Sequence, residues 1–191
     1  AFTNGIKTEL TATHAMAVER YKFPRSISAA LWVDFASTFE DVATCQYKRV
    51  SDTCIEGYVQ AKNVCGHGRY KLYFSLNTDQ PFQVEEQKET TACLTFGKKV
   101  RAVEVRIGLS ALSSELASWE CARWEKMNFA ELKSQTGDQW EKQLSAIDVK
   151  GGKKDDKVIF YTSLYRAYLS PADVSSPDGC LLYTSPSPRD V

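Results

Sequence analysis

Charge of one sign is what this sequence most plainly lacks: 24 Lys and Arg balance 24 Asp and Glu, for a formal net charge of zero over 191 residues. No net field therefore draws a nucleic acid or an anionic membrane to it, and a neutral ligand is easier to accommodate than a polyanion. Long apolar runs are also missing. None approaches the ~20 residues that a bilayer-spanning helix needs, so no membrane segment is expected. The opening Ala1-Phe2-Thr3-Asn4-Gly5 has none of the character of a signal peptide. Six cysteines in a chain of this length are too few for a disulfide scaffold, and no Asn-x-Ser/Thr acceptor occurs.

Cys45, Cys54 and Cys65 crowd into one stretch where a disulfide is one reading and buried free thiols another; Cys93, Cys121 and Cys180 lie apart. Cys65-Gly66-His67 could supply half of a zinc site, but the second close ligand pair is missing, so a turn or a core thiol is preferred.

What is present suffices for a core: 43% hydrophobic and 12% aromatic residues. From Gly5 to Ser110 the apolar period is two. Ile6, Thr8, Leu10 and Ala12 alternate with polar residues, as do Tyr70, Leu72, Phe74 and Leu76, and Val103, Val105, Ile107 and Leu109. Further strands are expected at Arg20–Phe23, Ala29–Phe35, Ala43–Val50, Ile55–Ala61 and Thr91–Phe96, with turns at Gly66-His67-Gly68 and Asn77-Thr78-Asp79-Gln80-Pro81. Many short strands without intervening helices imply an antiparallel sandwich or barrel.

After Ser110 the period becomes helical. Ser113 caps an expected helix whose apolar face is Leu116, Trp119 and Ala122 or Arg123; a second carries Phe129, Leu132, Trp140, Leu144 and Ile147. Beyond the polar connector Lys150-Gly151-Gly152-Lys153-Lys154, the run Asp155–Pro171 reads as a third helix. Its ridges Phe160, Leu164, Tyr168 and Tyr161, Tyr165 cover so much of the circumference that burial on several sides is expected. The Ser/Pro-rich end, 180–191, resembles a translated sequencing-adaptor tail and is set apart from the fold.

Catalytic constellations are absent from the pattern. Gly108-Leu109-Ser110 stands at a strand-to-helix junction, but Leu112 occupies the place of a nucleophile elbow's second glycine. Neither His14 nor His67 follows the serine, so a structural junction is expected. Gly151-Gly152-Lys153 lacks the spacing of a phosphate loop, and the adjacent pairs Glu85-Glu86 and Asp155-Asp156 read as solvated or dipole-facing charges.

Five pieces in order carry a resemblance. Gly5–Thr13, Arg20-Tyr21-Lys22-Phe23-Pro24, Val103–Ser113, then Trp140 with Leu144 and Ile147, and Phe160–Tyr165 with Pro171 together resemble glycoside hydrolase family 92 over most of 5–179. The resemblance implies a β then α architecture: an antiparallel β-sandwich of the carbohydrate-binding supersandwich kind (1–110), a helical linker (111–150) and the start of an (α/α)6 catalytic barrel (151–179). It implies a calcium-dependent, inverting exo-α-mannosidase acting on mannose-containing N-glycan-type chains, secreted or lumenal. Its catalytic carboxylates and calcium ligands belong to later parts of the barrel, so this polypeptide is expected to be inactive.

One substrate-binding candidate is carried over from the resemblance. Asp178, in Ser176-Pro177-Asp178-Gly179, matches part of the family's Asp-x-Asn/Asp-Gly pattern, with Ser176 at its first acidic position. The turn that Asp-Gly favours is its competing and preferred role. A second departure puts Ala15, Ala17 and Glu19 where the family has Arg, Gly and His, while Arg20 is retained with a packing role expected. The rival from another class is a non-catalytic carbohydrate-binding module capped by its helices. An exposed third helix would separate the two readings.

Overall fold

The computed structural model describes residues 2–38, 41–62 and 68–169. Nine strands come first: β1 (Lys7–Ala12), β2 (Met16–Lys22), β3 (Ala30–Asp34), β4 (Val42–Arg49), β5 (Cys54–Lys62), β6 (Arg69–Thr78), β7 (Phe82–Gln87), β8 (Thr91–Phe96) and β9 (Ala102–Ser110). Three helices follow: α1 (Ser114–Arg123), α2 (Phe129–Leu144) and α3 (Lys154–Tyr168). All strand pairs are antiparallel, in a six-stranded sheet ordered β1-β2-β9-β6-β5-β4 and a three-stranded sheet ordered β3-β8-β7. The expected β then α order is what the chain adopts.

The main core lies between the sheets. Ile55, Phe74, Leu76, Val103 and Val105 of the large sheet meet Phe82, Ala92, Leu94 and Phe96 of the small one. Phe82 and Leu94 are almost wholly excluded from water, and each contributes about 1.5–3 kcal/mol by its burial. Phe35 stacks on Phe74 at 5.1 Å and meets Tyr47 at 4.2 Å. The Tyr47 hydroxyl reaches across to the carbonyl oxygens of Lys88 (2.6 Å) and Thr91 (2.8 Å), tying the two sheets together.

A second core covers the other face of the large sheet, where Met16, Val18, Cys121, Phe129 and Leu132 pack with Trp124 and Met127 beneath α1 and α2. Central strands are thus buried on both faces, not half-buried as alternation predicts. Ser75, on the polar phase of β6, has no exposed surface. Conversely Leu10 is 65% exposed. It shares a face with the core-packed Ile6 and Tyr21, but three strands cannot cover the full width of six.

β7 was not among the expected strands: only Phe82 and Val84 mark its apolar phase, and its register shifts between Val84 and Glu86. β2 begins at Met16 rather than Arg20, because Met16 and Val18 face the helices and supply the burial that defines the strand.

The helix starts follow their caps. Ser113 Oγ accepts the Leu116 N–H at 3.2 Å. Asn128 Oδ1 accepts from Ala130 and Glu131 N–H, while Glu131 Oε2 accepts the Asn128 N–H, a complete capping box. Gly151 and Gly152 take positive φ of 80° and 68° before α3, a conformation glycine adopts without steric cost. The Lys153 N–H then donates to Asp156 at 3.0 Å.

One expectation about faces needs correction. α1 buries Ala117, Glu120 and Cys121, while Trp119 is 49% exposed. At Gly108 the helix lies so close to β9 that the small side chains of Ala117 and Cys121 fit beneath it and an indole would not. α3, whose composition suits burial on several sides, has no buried residue, and Val158, Ile159, Tyr165 and Tyr168 are exposed, the outcome that the fragment reading expects. Its neighbour is α2, through Trp140 and Tyr165 with ring centroids 4.6 Å apart. Tyr161 also donates to the Ile147 carbonyl at 3.0 Å.

Candidate functional site

The chemistry-bearing residues gather where β9 gives way to the helices. Gly108 and Ser110 form the junction. Ser110 Oγ accepts the Leu112 N–H at 3.1 Å, fixing the turn into α1. This is the structural junction the sequence implies, with the serine hydroxyl occupied by the backbone.

Next along β9, Glu104 and Arg106 point to the helix side. Arg106 places Nε and Nη2 on Glu104 Oε1 at 3.1 and 2.8 Å. Its guanidinium also donates to the Trp124 and Met127 carbonyls, both at 2.7 Å. Those carbonyls lie in the connection between α1 and α2, so one side chain of the sheet pins the helical turn. Glu104 Oε2 takes Arg20 Nη2 at 3.3 Å, and Arg20 lies over the Phe129 ring at 4.4 Å. Arg20 therefore has the packing role expected of it. It works as a shared bolt between β2, β9 and α2.

A polar cleft of about 480 Å³ opens beside this network, lined by Asn77, Asp79, Glu104, Arg106, Ser118 and Glu125 among others. Its acidic groups are largely spoken for. Both Glu104 oxygens face arginines, and Asp79 Oδ1 accepts the Glu104 N–H at 2.8 Å. The cleft offers hydroxyl, amide and carboxylate groups to a polar ligand, but no nucleophile paired with a base. Among the described residues no three His, Cys, Asp or Glu side chains converge to hold a metal ion.

Cys45, Cys54 and Cys121 are free thiols, so of the crowded stretch Cys45 and Cys54 follow the free-thiol reading. Cys65 and His67, the suggested half of a zinc site, and Cys180 lie outside the described residues. Cys54 and Cys121 both touch Ser75, at its Oγ (3.7 Å) and its carbonyl (3.5 Å). Burial pushes both thiols above the ordinary cysteine value. Asp178, the one substrate-side residue proposed from sequence, also lies outside the described residues.

The Arg106 network went unnoticed in the sequence. Its only signal there is a pair of opposite charges two apart on a strand, which by alternation share a face.

A second opening, between α2 and α3, is apolar: about 480 Å³ lined by Leu144, Val158, Tyr161, Thr162 and Tyr165 with the stems of Lys154 and Lys157. With the bare side of α3 it makes a continuous apolar surface at the helical end of the chain.

Comparison with known proteins agrees with this architecture. The Glycosyl hydrolase family 92 N-terminal domain matches residues 1–110, and the Glycosyl hydrolase family 92 catalytic domain matches residues 116–186. No curated protein is detectably similar. Among solved structures, a family GH92 α-mannosidase from Bacteroides thetaiotaomicron superposes with a TM-score of 0.77 at 24% identity over 92% of this chain. The same enzyme has been solved with mannoimidazole. A family GH92 inverting mannosidase from that organism gives 0.77 at 22% identity over 97%. At such identities the likeness carries the fold. The chain spans 27% of each of these two chains.

Proposed function

Since the chain belongs to glycosyl hydrolase family 92, we propose that it forms the sandwich, helical linker and first barrel helix of an exo-α-mannosidase. The enzyme releases terminal mannose from N-glycan-type chains, with inversion and with calcium, in a secreted or lumenal setting. The observation that carries this reading is the succession of the family's two domains along one chain. The names of its structural neighbours support the substrate: α-mannosidase, inverting mannosidase, and a complex with mannoimidazole. The bare apolar side of α3 supports an incomplete helical domain over a module capped by its own helices.

Inversion requires one carboxylic acid to protonate the leaving oxygen and a carboxylate to activate water on the opposite face, roughly 6.5–9.5 Å apart. Glu104 and Asp79 are committed to arginine and backbone partners, so neither suits these tasks. Calcium, when bound, would orient the mannoside. The role of this chain is to build and orient: Arg106 and Arg20 set the helices on the sheet from which the barrel grows. The 191 residues alone are accordingly inactive, and Asp178 is proposed only as a contact at the sugar side.

The test is to assay the chain and the intact protein on α-linked mannosides, with and without a chelator, following the anomer formed by proton NMR. Calcium-dependent release of β-mannose by the intact protein alone is the expected result. An intact protein inert on every α-mannoside would overturn the reading.

A further inference from the structure

The helical cover of the large sheet thins toward its β4–β5 side, where α1 still touches β5. Registration puts Gln46 opposite Tyr58, Lys48 opposite Glu56, Tyr58 opposite Tyr73 and Gln60 opposite Lys71. All these lie on the face that carries α1, just beyond the helix's first residue, Ser114.

Here the Tyr58 and Tyr73 rings sit 5.8 Å apart, tilted by 56°, with Lys71 Nζ 4.1 Å from the Tyr58 ring centre. Beside them is a notch of about 270 Å³ lined by Gln46, Lys48, Glu56, Tyr58 and Ser114. That volume is near the lower end of ordinary ligand clefts, roughly 300 Å³.

The chemistry of the lining selects the occupant. A tyrosine ring offers an apolar surface with a polar tip. The carboxamide, ammonium, carboxylate and hydroxyl around it both donate and accept. Lys48 and Glu56 carry opposite charges, so the notch matches neither an anion nor a cation. A pyranose has the complementary form: a C–H face without polar groups, rimmed by hydroxyls that donate and accept. The Lys71 contact with Tyr58 is of the weak, solvent-accessible kind, so its ammonium can exchange the ring for sugar oxygens.

We propose that this notch is a carbohydrate-binding site for a neutral pyranose, with Tyr58 as the stacking surface and Gln46, Lys48 and Glu56 as hydroxyl partners. The site rests on the glycosidase reading above for its choice of mannose.

The test is titration of the 191-residue chain with methyl α-mannoside and an α-linked mannobiose, read from tyrosine ring signals by NMR. Saturable binding with a Kd on the order of 1 mM is expected. Tyr58→Ala should weaken it about tenfold or more, Tyr58→Phe, which keeps the ring, by less than about threefold, and Tyr165→Ala on α3 not at all. No saturable response in the wild-type chain, or a response that survives Tyr58→Ala, overturns the proposal. Hydrolysis by the intact protein is measured alongside. Activity with a silent notch sinks the notch alone, and binding without activity sinks the mannosidase reading alone.

Discussion

Gly108 lies so close to Ala117 that a Cβ built on the glycine would stand 2.0 Å from the Ala117 carbonyl oxygen and 3.0 Å from Cys121 Sγ. The obstacle is helix backbone, which cannot swing aside as a side-chain end can. Gly108→Ala must therefore lift α1 off β9, at a cost of about 1–3 kcal/mol or more. A urea titration followed by circular dichroism should show a clearly lowered midpoint. An unchanged midpoint would mean the helix does not rest on this strand.

Glu104 neutralises two arginines at once, and its side chain is only 16% exposed. Glu104→Gln leaves Arg20 and Arg106 facing each other without their shared anion. Breaking a fully buried pair costs about 3–5 kcal/mol; with Arg20 29% exposed to solvent screening, about 2 kcal/mol is expected here. Arg106→Lys should also destabilise, since a single ammonium cannot span Glu104 and two carbonyls. Chemical denaturation of both variants and the double mutant measures the coupling.

The free thiols of Cys54 and Cys121 are held above the ordinary cysteine value, about 8.5, mainly by burial. A thiol with a raised folded-state value favours folding while protonated. That contribution is fully present below the unfolded value and is lost as pH rises through the folded one. Unfolding midpoints should therefore fall as pH rises above about 8.5, and fall less in a Cys54→Ala/Cys121→Ala variant. Native alkylation at pH 7.5 should be slow at both sites and become fast on adding denaturant.

On α3, Val158 and Ile159 are 55% and 65% exposed. Replacing both with Glu should change the stability of the chain by no more than about 0.5 kcal/mol each. It should also reduce self-association in light scattering. A large destabilisation would place these side chains in a packed interface of the isolated chain.

The strands with clean alternation, such as Val103–Leu109, were legible because their apolar side chains all lie on one face while Glu104 and Arg106 take the other. β7 was not, since Phe82 and Val84 alone mark its phase. The face of α1 was misread for an instructive reason. Apolar bulk pointed to Trp119, whereas close approach to Gly108 selects Ala117 and Cys121, and size, not hydropathy, decides. For α3 the composition speaks of burial that the other described residues do not supply. Glu104 and Arg106 looked like ordinary strand charges, because only the fold brings Arg20 and the α1–α2 turn to them. Ser110 was read correctly as a junction residue from its lack of a following histidine.

The pairing of β2 with β9 dictates an order of assembly. The first two strands can form a hairpin early, but the large sheet stays open until the last strand of the sandwich exists. Pairings between such distant segments make folding slow, because the intervening chain must be gathered before they are rewarded. Closure comes in one late event: β9 inserts between β2 and β6, and Arg106 arrives with it to collect the helical turn synthesised next.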